Sequence, residues 1–433
     1  MRILIKGGRV IDPETDFDAE RDVLIEEGKI SKIGKKIDVK PEDKTVIVNA
    51  KGLVVCPGLI DIHCHLREPG YEYKETIKTG TLAAVKGGFT SLVSMANTDP
   101  VNDNKSVTEY IIRKAKEEGY ARVFPCGAVT KGLKGEELSE IGEMVKAGIV
   151  AVSDDGYPIR NSAVLRRALE YIKIFSIPLL SHCEDPDLST GCVNEGYFSL
   201  LTGLEASPPI AEELMVIRDI KIAGYVNSRI HITHVSTEGS INVIREEKKK
   251  FDKLTCDTCP HYFTLTDESI LTFDANYKVN PPLRSKKDVE SIKEALKEGV
   301  IDIISTDHAP HETGSKEVEF ALASSGISGL ETAFAVSLSL FHEGVLDLKE
   351  IIKKMTVNPA RLINVPYGTL GEGKIADVIV FDPYLEWIVN KEEFASKGKN
   401  TPFHGMRLKG KNLLTMVGGR IVYKDPDFEV EED

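Results

Sequence analysis

The chain has 433 residues, 41% hydrophobic and 28% charged, a balance that fits a globular protein with one large domain and a smaller one. Its 68 acidic and 55 basic residues give a formal net charge of -13, which argues against nucleic acid or an anionic membrane as the main partner. An anionic small molecule would need local positive charge, from a metal or an arginine.

The amino terminus opens with Met1-Arg-Ile-Leu-Ile5, without the long apolar stretch of a signal peptide, and no apolar run is long enough to span a bilayer. A cytoplasmic protein with no membrane contact is the expectation. The seven cysteines are irregularly spaced, so no disulfide framework is expected. The first fifty or so residues predict short strands around Ile3–Ile5, Val23–Ile25 and Val46–Val48, with turns at Gly7-Gly8 and Glu27-Gly28. The last stretch returns to that texture at Asp377–Phe381 and Gly418–Tyr423, so both ends should pair into one small β domain.

Between them, apolar strand-like runs fall near Leu59–Ile62, Thr90–Met95, Val123–Ala128, Ile149–Val152, Pro178–Ser181, Ile230–Thr233, Lys253–Cys256 and Ile301–Ser305. Helical segments separate most of them. One follows Asp103 with Val107, Tyr110, Ile111 and Ala115 on its apolar face before Gly119. Another places Ile210, Leu214 and Ile217 on one face before Gly224. Gly87-Gly88 reads as a turn before a strand, and Lys248–Lys250 as a solvated helix end. Eight alternating units predict an α/β fold, a TIM-type (β/α)8 barrel, with a small β-sandwich domain formed by both termini. The expected division is 1–56 plus 364–433 for the β domain and 57–363 for the barrel.

Polar residues cluster at the ends of these strands: His63-Cys64-His65, Asn97, Asp154-Asp155, His182, His234 and Asp307. In a TIM barrel the carboxyl ends of the strands share one face, and that face carries the chemistry. Imidazole and carboxylate suit zinc or a similar divalent ion. In an extended His-x-His both rings point the same way, so His63 and His65 could grip one ion. Each of these residues alone is more often a hydrogen-bonded core residue; the joint placement of six at strand ends is what favours a metal cage. Cys183 could be a nucleophile or an occasional ligand, but as the neighbour of His182 in a strand it points away, which favours core packing. His231 is left outside the site for the same reason, and His308 is read as support for its loop. Cys256-x-x-Cys259 has no second pair and reads as structural. Arg67, two residues after His65, should face the same pocket; it could hold a substrate carboxylate or form a salt bridge with a neighbouring glutamate.

The segment Asp61-Ile-His63-Cys-His65-Leu-Arg67-Glu-Pro-Gly70 resembles the signature of the amidohydrolase superfamily in its dihydroorotase form. The resemblance continues through Met95-Ala-Asn97-Thr, Ser153-Asp-Asp155-Gly, His182-Cys-Glu, His234-Val-Ser, Asn280-Pro-Pro-Leu-Arg284, Asp307-His-Ala-Pro-His311, Asn358-Pro-Ala and Gly373-Lys-Ile-Ala-Asp377. It implies a metal-dependent cyclic amidohydrolase that interconverts N-carbamoyl-L-aspartate and L-dihydroorotate in pyrimidine synthesis. It implies one or two zinc ions: His63, His65 and Asp307 on one, His182 and His234 on a second, and Asp155 bridging them. Asp307 would be the catalytic acid and base. His65, Arg67, Asn97, His311 and the backbone at Ser325 and Gly326 would contact the substrate and its carboxylate, and Asn280 its ring. Some relatives associate with aspartate transcarbamoylase, so that enzyme and a second copy of the chain are the implied protein partners.

Two departures stand out. Met95-Ala96-Asn97-Thr98 replaces the more usual Met-Pro-Asn-Thr. Ala323-Ser324-Ser325-Gly326 replaces a run with Pro-Gly at the loop implied to touch the carboxylate. Two other functions remain open: a dihydropyrimidinase, hydantoinase or allantoinase, and a catalytically silent scaffold. The first would leave Arg67 without a carboxylate to bind, and a lysine would be expected where Asp155 stands. The second would be expected to have lost ligands, and none is missing.

Overall fold

A computed structural model describes residues 2–39 and 44–432; residues 1, 40–43 and 433 of the expected terminal domain lie outside the described residues. The chain first builds a nine-stranded sheet from both termini. Arg2–Asp12 lies at its centre, antiparallel to Phe17–Glu26 and parallel to Thr45–Asn49 and Val54–Pro57. Val54–Pro57 then pairs with Val378–Ile388 from the far end of the chain, which continues to Arg407–Val417 and Arg420–Lys424. Ile3, Ile5, Val23, Ile25, Val380 and Leu414 close its core. The turn at Glu27-Gly28 forms as expected, with both residues in the left-handed region at φ 49° and 77°. Gly7-Gly8 does not turn. It is a bulge inside one long strand, where the register slips between Ile5 and Gly8. A Cβ on Gly8 would lie 2.5 Å from Val55, so the bulge lets two strands approach closely.

The barrel strands follow in chain order: β1 (Leu59–Cys64), β2 (Phe89–Ser94), β3 (Arg122–Gly127), β4 (Ala151–Val152), β5 (Leu179–Ser181), β6 (Ile230–Ile232), β7 (Leu254–Thr258) and β8 (Ile303–Ile304). Each is hydrogen-bonded to the next. β1 and β2 are buried at every position, as parallel strands covered on both faces must be. Ile60, Ile62, Val93, Met95, Leu180 and Ile303 belong to the core cluster that Leu362 and Ile363 complete. The ring closes through side chains as much as through backbone. Asp61 of β1 accepts from Thr306 N (2.9 Å) and Thr306 Oγ1 (2.6 Å) just past β8, and His65 N donates to His308 O (2.8 Å).

Thr306→Val keeps the shape of the side chain but strips one hydrogen bond from the fully buried Asp61. A loss of about 1–3 kcal/mol is expected for leaving a buried acceptor short of a partner. Urea unfolding of the two proteins checks it; equal midpoints would mean that Asp61 does not latch the barrel.

The helix expected after Asp103 spans Lys105–Glu118, capped by Asn104 and buried through Val107, Thr108, Ile111 and Ala115. The second helix, Ile210–Val226, corrects the sequence reading. It runs through Gly224 to an Asn227 cap, and Ile210, Leu214 and Ile217 face solvent. The buried face is Ala211, Glu212, Met215, Val216, Asp219, Ile220 and Ala223. Its two acids can be buried because both have partners: Ser236 N donates to Glu212 (3.1 Å), and Ser181 Oγ to Asp219 (2.6 Å). Among the described residues no helix is long and apolar enough to cross a membrane.

Candidate active site

The six residues expected from strand ends meet at one end of the barrel. β1 delivers His63 and His65 on one side, with ring centroids 5.4 Å apart. Asp155 sits between two histidine pairs. Its Oδ2 lies 3.1 Å from His63 Nε2 and 3.4 Å from His65 Nε2; its Oδ1 lies 3.4 Å from His234 Nε2 and 3.6 Å from His182 Nδ1. Asp307 Oδ1 faces the first pair at 3.5 and 3.3 Å. His182 Nδ1 and His234 Nε2 are 2.9 Å apart.

This donor set fits a divalent cation. His63, His65 and Asp155 form one group of converging ligand atoms, and Asp155, His182 and His234 another. Both ring nitrogens of His63 and Oδ1 of Asp155 are buried without a hydrogen-bond partner among the described residues. Buried polar atoms are rarely left so. The electrostatics agree. Burial opposes a charge on His63, but Asp155 and Asp307 outweigh it and push its pKa to about 10. The carboxylates of the cage thus demand positive charge at its centre.

The remaining atoms fix the rings. His65 Nδ1 meets Asn97 Oδ1 at 2.9 Å, which turns Nε2 to the cage. His182 Nε2 meets Glu184 Oε2 at 3.1 Å, which turns Nδ1 inward. Holding a ligand's second nitrogen in this way sets its tautomer and orientation. The backbone of His234 is tied by its N–H to Asp257 Oδ1 (2.6 Å). His234 and Asp307 both sit at positive φ, 39° and 44°. Such conformations cost about 1–3 kcal/mol each and are characteristic of functional sites.

Beside the cage lies a cavity of about 420 Å³, lined among others by Arg67, Asn97, Asn280, His311, Ser325 and Gly326. Arg67 Nη2 lies 3.3 Å from His311 Nε2, and Arg67 Nε donates to Pro310 O (3.2 Å). Among the described residues Arg67 has no carboxylate ion pair. Its neighbour Glu68 accepts instead from Ile77 N (2.8 Å) and Tyr110 Oη (3.2 Å), which removes the salt-bridge reading. Burial lowers the Arg67 pKa to about 10, still a full cation at neutral pH. Burial, with Arg67, Lys74 and Lys316 nearby, pushes His311 down to about 2, so its imidazole is neutral. Asn280 Nδ2 donates to Glu184 Oε2 (3.0 Å). Ser325 O lies 3.0 Å from His311 Nε2. Gly326 N donates to Lys278 O (2.9 Å) and its carbonyl accepts from Asn400 (2.9 Å), so both its backbone groups anchor the loop to other segments.

The residues set aside stay aside. His231 pairs with Asp257 (2.9 Å) below the site, and His308 Nδ1 accepts from Gly329 N (3.1 Å) to hold its loop. Cys183 Sγ lies beside Ser181 and Asp219, while Cys256 and Cys259 contact Val300 O and Ser305 separately. Two site residues were not assigned a role from sequence. Glu184 stood in a noted motif, and only its distance of two residues from His182 hinted at its contact. Lys278, which lines the cavity, carried no signal at all.

Comparison with known proteins agrees with this geometry. Residues 54–422 match the Amidohydrolase family. The chain is 52% identical over 425 residues to a dihydroorotase of Acetivibrio thermocellus, covering 98% of this chain and 99% of that one. It is 50% identical over 426 residues to a dihydroorotase of Syntrophus aciditrophicus, covering 98% of this chain and all of that one. In fold it is similar to a dihydropyrimidinase from Brevibacillus agri, with TM-score 0.87, 24% identity and coverage of 99% and 96%. An L-hydantoinase from Arthrobacter aurescens gives TM-score 0.88, 23% identity and coverage of 99% and 98%.

Proposed function

The chain belongs to the amidohydrolase family, and on that premise we propose that it interconverts N-carbamoyl-L-aspartate and L-dihydroorotate with zinc in its cage. The observation that carries this reading is Arg67 beside His311, 3.3 Å apart, on the wall of the cavity that the metal-type ligands also line. A substrate with a ring carboxylate uses that arginine; uncharged dihydropyrimidines and hydantoins leave it idle. Asp155 supports the same reading, since an aspartate takes the bridging position where a lysine is expected for the other cyclic amidohydrolases.

His63, His65 and Asp307 would hold one ion, His182 and His234 the other, with Asp155 shared. A divalent ion there supplies Lewis acidity to the amide carbonyl and lowers the pKa of water, to about 7 for zinc in a favourable site. The chain's own groups do the rest. Arg67 grips the substrate carboxylate with two parallel N–H donors. The neutral His311 flanks it, and Asn280 faces the ring. Asp307 takes a proton from the attacking water and returns it to the departing ring nitrogen. In the synthetic direction the same carboxylate runs the transfer backwards.

The test is turnover of L-dihydroorotate with elemental analysis of the same sample. Activity should rise with bound metal, fall on chelation and return with zinc. A metal-loaded chain that opens dihydrouracil or hydantoin and leaves dihydroorotate untouched would contradict the reading. A cytoplasmic homodimer, alone or bound to aspartate transcarbamoylase, belongs to the same proposal; light scattering of the chain, alone and mixed with that enzyme, tests both associations.

A further inference from the structure

Among the described residues, none of those lining the cavity comes from the terminal sheet or the segments between its strands. Yet one segment of that unit, between Val378–Ile388 and Arg407–Val417, reaches the loops that do. Ser396 N donates to Glu331 Oε1 (3.1 Å), and Lys397 N to Glu75 Oε1 (3.2 Å), both from the barrel. Asn400 follows, 3% exposed. Its Nδ2 donates to Ala309 O (3.0 Å) and Gly326 O (2.9 Å). Its Oδ1 accepts from His311 N and Ser328 Oγ, both at 2.9 Å. Its carbonyl accepts from Ser328 N (2.7 Å).

A carboxamide has two N–H donors and one oxygen with two lone pairs. Asn400 uses all of them, on two loops distant in sequence. The loops also touch directly, at the bridge between His308 and Ile327. The His311 ring also meets Ser325 O at 3.0 Å, and Asn400 adds the tie to the His311 backbone N–H (2.9 Å). The fit is close. A Cβ on Gly398 would lie 2.5 Å from Pro310 Cβ and 2.6 Å from Ser328 Oγ.

We propose that Asn400 is a positioning residue for binding the substrate carboxylate: it fixes His311 and the Ser325-Gly326 loop relative to each other, so the second domain sets affinity for the anion. This rests on the reading that Arg67 and His311 receive that carboxylate. Side-chain hydrogen bonds of this kind hold contacts to fractions of an ångström, and a 1 Å misplacement away from the chemistry can cost about a hundredfold.

The experiment uses the full chain with Asn400→Ala, Asn400→Asp and Gly398→Ala. Asn400→Ala should raise KM for L-dihydroorotate about 10- to 100-fold, with kcat within about threefold and bound metal unchanged. Asn400→Asp keeps the volume but turns a carboxylate oxygen to the carbonyls of Ala309 and Gly326, so its KM should rise at least as far. Gly398→Ala leaves Asn400 chemically intact but brings a Cβ within 2.6 Å of Ser328 Oγ and 2.8 Å of Asn400 Oδ1. It therefore pushes the segment off the loops and should raise KM in the same way, which keeps the test alive if an Asn400 variant fails to fold. Hydrogen exchange at 309–311 and 325–328 should quicken in all three, with the cage strands still protected. A lowered melting temperature with unchanged KM would make Asn400 mere packing and overturn the proposal. So would unchanged exchange in those loops, even if the wild-type chain proves inactive on dihydroorotate; that inactivity by itself would sink the proposed reaction instead.

Discussion

Asp307→Asn should lower kcat for dihydroorotate about 10²- to 10⁴-fold, the range for loss of a positioned acid or base. The substitution is nearly silent in shape. Asp307 sits at φ 44°, a conformation that asparagine also tolerates among non-glycine residues, so the loop should stay in place. The amide can still offer an oxygen toward His63 and His65, where Asp307 Oδ1 now lies at 3.5 and 3.3 Å. It cannot take up a proton. Burial works to raise the carboxyl of Asp307, and the imidazoles of His63 and His65 outweigh it, holding it below the usual carboxylate range. The side chain is therefore ionised at neutral pH, the state that a proton acceptor in the degradative direction must have. The fall should appear in kcat with little change in KM, because a lost transition-state interaction has that signature. A variant within fivefold of the wild type at saturating metal would mean that another group moves the proton.

Arg67→Ala should cut kcat/KM for dihydroorotate by about 30-fold to several thousandfold. Truncating one partner of a buried, hydrogen-bonded charge pair costs about 2–5 kcal/mol, and each 1.4 kcal/mol is tenfold. Arg67→Lys should rescue little, since a lysine offers a point charge in place of a planar fork. Metal content should not change, because Arg67 approaches His311 and Pro310 rather than the cage. Near-normal kinetics in Arg67→Ala would point to a substrate without the ring carboxylate.

The barrel and its cage could be read from sequence because both rest on local rules. Apolar runs punctuated by glycine mark the strands, and side-chain alternation puts His63 and His65 on one side. The barrel strands end within two residues of the expected bounds. What escaped depends on contacts between distant segments. The exposed face of Ile210–Val226 looked like the core face because Glu212 and Asp219 are polar. Their burial makes sense only once Ser236 and Ser181 arrive from elsewhere in the fold. Gly7-Gly8 has the composition of a turn, yet it forms a bulge where Asp22 accepts from Gly7 N and Val55 approaches Gly8, both contacts from other strands. Beyond its local contact with His182, Glu184 reaches Asn280, 96 residues on, and Asn400 reaches His311, 89 residues back. No local pattern announces either.

The most direct measurement is anomalous diffraction from crystals of the chain grown with zinc. The account predicts strong density between Asp155 and the pair His63 and His65, with Asp307 in contact, and a second peak near His182 and His234 when zinc is in excess. A map with zinc only on surface residues, and the six side chains bonded to one another across an ion-free cage, would contradict it.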